Sequence, residues 1–195
     1  VVRNTKYSMS IIDMPYNTYR NKKEALRNAN ELIAFTKADF LIIESDKKNI
    51  EIVKHLSDNK IKVVSHIGVT PQKFSDFKKI KSVGKESKDA DDLLYLATEL
   101  EKAGSKFIVL ECINEKVADK ITNKLSIPTI GIGSSKHCDG QVLVIDDILN
   151  FNSKVKKPKF VKNFVNIEIS ISKAINNFVR SVKKRKFPLR KHSYK

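Results

Sequence analysis

The sequence predicts an α/β fold built on a parallel β-sheet, and three observations support this class. Six short apolar segments rich in β-branched residues recur along the chain, and amphipathic stretches separate several of them. Ionisable side chains lie at or beside the ends of four of these segments. Continuous apolar strands that alternate with amphipathic helices are typical of a sheet buried on both faces. The predicted strands are residues 7–12, 38–43, 62–67, 107–110, 128–133 and 142–145.

The stretch from Lys106 to Leu149 shows the pattern most clearly. Strand 107–110 ends at a carboxylate, and Asn114 is a suitable N-cap for the helix that follows. Pro128 ends this helical segment, and Asp139-Gly140 marks a turn before the last predicted strand. The helix is predicted from apolar residues at helical spacing, which are Val117, Ala118, Ile121 and Leu125.

Two further helices are predicted in the first half of the chain. Asn21 followed by Glu24 resembles a capping box at the start of one helix. The second helix covers residues near 49–57, and Asn59 is a plausible left-handed residue at its end.

The remaining helices are predicted on either side of the 106–149 stretch. Residues 87–103 share an apolar face and are followed by Gly104, which predicts a helix end. Apolar residues spaced over 171–182 predict a strongly amphipathic helix whose apolar face needs a partner. Residues 73–86 and 150–160 are predicted as polar loops, and residues 187–195, including His192, as a tail.

Composition limits the class of protein. A chain of 195 residues can form one domain with a substantial core. Cys112 and Cys138 are too few for a disulfide framework, so we expect two buried thiols and a reducing compartment, the cytoplasm. The longest apolar runs have the length of strands, so no membrane span is expected.

The net charge of +16 is concentrated at one end. Residues 154–195 hold 14 of the 38 Lys and Arg residues and a single acid, Glu168. A basic segment of this kind could attract polyanions. Lys is also abundant throughout the chain, and aromatic residues do not alternate with the bases, so we favour a solvated Lys-rich face and do not expect nucleic acid as a partner.

The residues at the strand ends are the candidates for function. Asp13, Glu44 and Glu111 follow predicted strands, and His66 lies at the end of another. The carboxyl ends of parallel strands are where α/β folds keep their active sites. The alternative without function is that the three carboxylates are solvated groups at the rim and that His66 is a core histidine. For His66, this alternative and contact with substrate remain balanced.

Several sequence strings, spread over the whole chain, resemble the ketopantoate hydroxymethyltransferase family. The SHIGVTPQ and IPTIGIG…CDGQVLV strings are specific, and all keep the family's order. The matching segments are residues 13–16 (DMPY), 65–72 (SHIGVTPQ), 109–112 (VLEC), 127–133 (IPTIGIG), 138–144 (CDGQVLV), 158–160 (PKF) and 192–194 (HSY).

The resemblance implies a (β/α)8 TIM barrel of the phosphoenolpyruvate/pyruvate-like type. It implies transfer of a hydroxymethyl group from 5,10-methylenetetrahydrofolate to 3-methyl-2-oxobutanoate, giving 2-dehydropantoate through a Mg²⁺-stabilised enolate. By resemblance, Asp13 and Glu44 bind Mg²⁺, Glu111 accepts the proton, and Asp13 and His66 contact substrate. Ile42 occupies a substrate-binding position at which the family carries Lys. The resemblance also implies assembly into a decamer, so a homo-oligomer is expected.

Three departures from the family's pattern accompany the resemblance. Six strands are predicted rather than eight, and no Gly-Asp-Ser string, which carries a further metal-binding Asp in the family, precedes Asp13. Ile42 replaces a lysine. Ser45-Asp46 and Ser134-Ser135 replace Gly-Gly and Ala-Gly.

We therefore expect residues 1–195 to form one incomplete barrel that lacks the first two βα units, with residues 154–195 as a basic helix and tail packed on or extending from it. Three functions remain open: the transferase, an impaired fragment or paralogue kept as an assembly subunit, and a polyanion-binding protein. Expressed alone, the chain is expected to be inactive in transfer and prone to aggregation through its open strand edges.

Overall fold

A six-stranded parallel sheet forms the centre of the computed structural model, which describes residues 2–73, 82–151, 157–165 and 170–194. The strands follow one another across the sheet in sequence order. This order, without a reversal, is that of a β/α barrel rather than of a doubly wound sheet. The predicted α/β class with a parallel sheet is confirmed. The strands are β1 (Ile11–Asp13), β2 (Phe40–Glu44), β3 (Val63–Gly68), β4 (Ile108–Glu111), β5 (Thr129–Ile132) and β6 (Gly140–Gln141).

Four helices connect the first five strands, and two more follow β6. The apolar faces of the first four pack on one side of the sheet, where they form a core with residues such as Leu41, Ile43 and Leu110. The helices are α1 (Lys22–Thr36), α2 (Ile50–Asp58), α3 (Ser87–Lys102), α4 (Glu115–Lys124), α5 (Ile145–Leu149) and α6 (Ile171–Lys183).

Local capping signals place most helix ends as predicted. The Asn21 side chain accepts the Glu24 amide at 2.9 Å, and the Asn114 side chain accepts the Lys116 amide at 3.0 Å. Gly104 has φ +101 beyond the end of α3. The left-handed conformation predicted for Asn59 is wrong, because Lys60 adopts it instead, with φ 67.

The other face of the sheet carries a second apolar cluster. Alternate strand residues, including Phe40, Ile42, Val64 and Val109, belong to it together with side chains of the C-terminal segment. Because side chains alternate across a strand, these residues form the inner face, opposite the face that α1–α4 cover. This inner face carries the candidate site at its carboxyl end.

The prediction of a sixth strand at residues 142–145 is wrong. Only Gly140 and Gln141 pair with β5, and the chain then turns into α5. The run VLVIDDIL contains a helical spacing, because Ile145, Ile148 and Leu149 share a face and two acids occupy the first turn. The first strand is likewise shorter than predicted, since pairing begins at Ile11.

Residues 187–194 are not a loose tail. Phe187 is buried, and its ring lies 5.6 Å from that of Phe164 and 5.9 Å from that of Phe178. His192 is also buried, and its Nδ1 accepts the Leu189 amide at 3.1 Å. The aromatic residues near the C-terminus make this segment part of the second apolar cluster.

Helix α6 begins at the predicted residue and ends one residue later than predicted, and its apolar face is only partly covered. Ala174 is fully buried, whereas Ile171, Ile175 and Val179 are exposed. Residues 74–81 of the predicted loop 73–86 and residues 152–156 of the predicted loop 150–160 lie outside the described residues. Within the part of the chain that the structure describes, no helix is both long and apolar enough to cross a bilayer.

Candidate active site

The four ionisable residues predicted at strand ends do lie at one edge of the sheet. Asp13, Glu44 and Glu111 are the last residues of β1, β2 and β4, and His66 lies in the last half of β3. All of these strands run in the same direction, so their carboxyl ends meet at the same edge.

The strand register places these side chains on the inner face. Asp13 pairs with Ile42, and Glu44 pairs with His66. Paired residues in a parallel ladder point to the same side of the sheet, and every second residue shares that side. His66 pairs in turn with Val109, two residues before Glu111. The four candidates are therefore on one face.

His66 and Glu111 are in direct contact. The His66 Nε2 atom lies 2.9 Å from Oε2 of Glu111, and each side chain is only about one-tenth exposed, at 12% and 11%. The imidazole is not aligned to make a hydrogen bond across this contact, and Nε2 has no other partner among the described residues. The predicted strand-end carboxylate is thus a nearly buried group beside an imidazole.

Glu44 is more deeply buried, with 3% of its surface exposed. Its Oε1 accepts the backbone N–H of Gln72 at 2.7 Å, while its Oε2 is buried without a partner in the described residues. Burial raises the pKa of the Glu44 carboxyl, and the Gln72 N–H and His66 act in the opposite direction. A buried carboxylate oxygen without a donor is an acceptor available to a ligand.

Asp13 lies on the edge strand and is exposed as a residue. Partial burial of its carboxyl raises the pKa of Asp13, and the nearby His66 opposes the increase. His66 therefore acts electrostatically on both Asp13 and Glu44 and also contacts Glu111, which makes the imidazole the centre of the group.

The carboxylates of Asp13 and Glu44 are oxygen donors of the kind that Mg²⁺ binds. Mg²⁺ prefers six oxygen ligands but commonly takes one or two carboxylates together with waters and substrate oxygens. The free Oε2 of Glu44 and the carboxylate of Asp13 fit this partial donor set. Across the described ranges there is no cluster of three or more His, Cys, Asp or Glu side chains that could hold a metal.

Ile42 brings no charge to the site. It pairs with Asp13 on the inner face and is buried in the second apolar cluster. The position at which the resemblance implies a substrate-binding lysine is therefore apolar.

Sequence reasoning did not single out two residues beside Glu44. Gln72 donates its backbone N–H to Glu44 and its side-chain amide to the Met14 carbonyl at 3.2 Å. Tyr19 is buried, and burial together with the Glu44 charge raises its pKa to about 12. Gln72 could have been found, because it ends the TPQ part of a matching string, whereas no local pattern marks Tyr19.

The residue after Glu111 was also missed as part of the site. Cys112 is buried, adopts φ 51, and has its pKa raised to about 12 by burial and by the Glu111 charge. Its sulfur forms a hydrogen bond with the Tyr194 hydroxyl. The expectation that Cys112 and Cys138 are buried free thiols is confirmed.

A parallel sheet in β/α-barrel order, with carboxylates and an imidazole at its carboxyl edge, has the arrangement of a β/α-barrel enzyme. The chain belongs to the ketopantoate hydroxymethyltransferase family, whose model matches residues 1–190. The predicted resemblance is confirmed, and the enzyme class that it implies is that of a hydroxymethyltransferase.

Curated relatives carry the same family name. A 3-methyl-2-oxobutanoate hydroxymethyltransferase of Pelagibacter ubique (strain HTCC1062) is 48% identical over 189 residues, covering 97% of this chain and 72% of the relative. The enzymes of Buchnera aphidicola subsp. Acyrthosiphon pisum (strain 5A) and Clostridium botulinum (strain Langeland / NCTC 10281 / Type F) are each 42% identical. They are matched over 94% and 100% of this chain and over 69% and 71% of their own lengths.

Similarity to solved structures is more distant. A prophage protein of the dihydrodipicolinic acid synthase family from E. coli K12, in complex with pyruvate, aligns over 92% of this chain and 61% of its own. The TM-score is 0.48 and the sequence identity is 13%. A match at this level does not identify a function.

Proposed function

We propose that this protein acts in the transfer of a hydroxymethyl group from 5,10-methylenetetrahydrofolate to 3-methyl-2-oxobutanoate, giving 2-dehydropantoate. The observation that carries the proposal is the contact of Glu111 with His66, on the inner face that Glu44 and Asp13 share. The names of the curated relatives support the choice of substrate.

Glu111 is the proposed base. Hydroxymethylation requires that the proton on C3 of the keto acid be removed, so that the C3 electron pair can form a bond to the methylene carbon. The Glu111 carboxylate is nearly buried and lies on the inner face, so a keto acid held there would meet it as a proton acceptor. The proton that leaves C3 is transferred to a carboxylate oxygen of Glu111.

His66 is proposed to bind the keto acid and to orient the base. Its Nε2 faces Oε2 of Glu111 and makes no aligned hydrogen bond, so a substrate oxygen can accept a hydrogen bond from Nε2–H. Substrate binding at His66 would place C3 beside Glu111.

Asp13 and Glu44 are proposed to hold Mg²⁺ through their carboxylate oxygens. When bound, the ion would supply Lewis-acid polarisation of the keto acid, which makes the C3 proton more acidic. The Gln72 N–H fixes one oxygen of Glu44 and leaves the other free for this role.

Exchange of the C3 proton tests the base assignment. This partial reaction requires the keto acid and the base but not the folate, so it can be followed separately from transfer, by NMR in D2O. We expect Glu111→Gln to abolish exchange while magnesium-dependent binding of the keto acid remains. The matched control is Glu115→Gln, which makes the same chemical change four residues along the chain and should exchange normally. Exchange at the wild-type rate in Glu111→Gln would refute the assignment.

Ile42 favours a second candidate function. Its apolar side chain occupies the position of a substrate-contacting lysine, so the chain could be a catalytically impaired relative retained as an assembly subunit. The two functions differ in keto acid binding, which the impaired relative would lack.

A further inference from the structure

The hydroxyl of Ser134 connects the two ends of the turn that carries Glu111. Ser134 is fully buried just beyond β5. Its Oγ donates a hydrogen bond to the Leu110 carbonyl at 2.7 Å and accepts the Ile113 amide at 3.1 Å. Leu110 directly precedes Glu111, and Ile113 follows Cys112, so the two bonds bracket the proposed base.

The bracketed turn has a strained backbone. Cys112 adopts φ 51, a left-handed conformation that is costly for a residue with a Cβ atom and that persists only where the surroundings enforce it. The neighbouring strands also fix this turn, because the Glu111 carbonyl accepts the Val69 amide at 2.9 Å and the Cys112 amide donates to Ile132 at 2.8 Å. Ser134 adds the connection from one end of the turn to the other.

We propose that Ser134 is a positioning residue for Glu111. By holding Leu110 and Ile113 at a fixed separation, its hydroxyl maintains the turn at Cys112 and so keeps the Glu111 carboxylate against His66. Ser134 does not touch the substrate and acts only through Glu111. The inference rests on the proposed function of Glu111 as the base.

Ser134 lies at one of the positions where the sequence departs from the pattern of the family. Ser134-Ser135 stands where the resemblance implies Ala-Gly, so the hydroxyl bridge is an additional constraint and its loss should be partial. A single buried hydrogen-bonding group supports an effect of about tenfold on a rate that depends on geometry.

Ser135 offers a matched control. It is equally buried, and its Oγ donates to Asp119 of α4 and accepts the His137 amide at 3.0 Å. None of these partners lies on the strand or turn that carries Glu111. Ser135→Ala therefore removes a buried hydroxyl from the adjacent position without altering the bracket.

The catalytic test compares Ser134→Ala with Ser135→Ala in the full chain. We expect Ser134→Ala to slow C3 proton exchange at saturating 3-methyl-2-oxobutanoate about tenfold with the Kd unchanged. Ser135→Ala should exchange at the wild-type rate, even if its melting temperature falls by as much as that of Ser134→Ala. Equal rates in the two variants, or a change in Kd instead of the rate, would overturn the proposal.

A spectroscopic test does not depend on activity. In ¹⁵N-histidine protein, Ser134→Ala should shift the imidazole signals of His66, assigned with a His66→Gln variant, and should speed hydrogen exchange of the Ile113 amide. Ser135→Ala should do neither. If the wild type shows no C3 exchange, the proposed function fails, and these signals alone decide whether Ser134 positions Glu111. Unchanged His66 signals in Ser134→Ala would overturn the proposal.

Discussion

His66 connects the candidate residues at the level of single side chains. It contacts Glu111 at 2.9 Å and opposes the increase in pKa that burial causes at Asp13 and Glu44. The imidazole therefore interacts with each of the three carboxylates that share the inner face.

Replacing Ile42 by Lys tests whether the apolar residue limits substrate binding. We expect Ile42→Lys to bind 3-methyl-2-oxobutanoate about tenfold more tightly in calorimetry, because an ammonium beside Asp13 can attract the carboxylate of the keto acid. The melting temperature should fall, since a charge enters an apolar cluster. Ile42→Met, which has similar length without charge, is the control. Equal affinities in the two variants would contradict the prediction.

His192 should make the stability of the protein dependent on pH. Burial lowers the pKa of His192 below 6.5, and the charges of Lys191 and Lys162 act in the same direction. The folded state therefore favours the neutral ring, whose Nδ1 accepts the Leu189 amide. This contribution to the free energy of unfolding is present above pH 6.5 and is lost as the pH falls through that value towards the lowered pKa.

The measurement compares melting temperatures of the wild type and His192→Asn between pH 7.5 and 5. Asn can still accept the Leu189 amide but does not titrate. The wild type should lose stability relative to the variant as the pH falls. Melting curves that shift in parallel would show that His192 does not contribute.

At the level of secondary-structure elements, one carboxylate joins α3 to the start of β5. Oε1 of Glu101 accepts the amide and the hydroxyl of Ser126, both at 2.7 Å, and the Ile127 amide at 3.1 Å. These residues form the connection from α4 to β5. Glu101 therefore holds the loop that sets the position of the fifth strand.

We expect Glu101→Ala to lower the free energy of unfolding by about 1–2 kcal/mol, since hydrogen bonds to a charged group are among the stronger ones and this group is only partly buried. The melting temperature should fall by about 2–4 °C for each kcal/mol in a chain of this size. Glu99→Ala is the control, because Glu99 pairs with Lys102 on the surface of the same helix at 2.8 Å. Similar losses in the two variants would exclude a special role for Glu101.

At the level of the whole molecule, the sheet has two outer strands that pair on one side only. Among the described residues, β1 pairs with β2 alone and β6 with β5 alone. Apolar side chains at these edges are exposed, with Ile11 at 44% and Val142 at 41%. Open edges with apolar side chains template association between chains.

The 195-residue chain is therefore expected to form concentration-dependent aggregates. The double variant Ile11→Lys, Val142→Lys should reduce the aggregates in analytical ultracentrifugation, because charge on an edge strand opposes edge-to-edge pairing. Ile171→Lys, at an exposed position on α6, should not. A wild-type chain that stays monodisperse over the same concentration range would contradict this expectation.

Local signals in the sequence were sufficient to predict most of the helices and strands. Helix caps at Asn21 and Asn114 act within one turn, and the strands are continuous apolar runs that short windows of sequence reveal. Predictions failed where two local periods overlap, as in residues 142–149, and where burial depends on distant partners, as for His192.

The sequence by itself determined the α/β class, the parallel strands and the placement of Asp13, Glu44, His66 and Glu111 at their carboxyl ends, because these features follow from periodicity and chain direction. Only the tertiary structure decided that His66 touches Glu111, that Gln72 holds Glu44 and that Ser134 brackets the base. These contacts join residues far apart in the chain. They depend on strand register and on the packing of neighbouring turns, which no local pattern specifies.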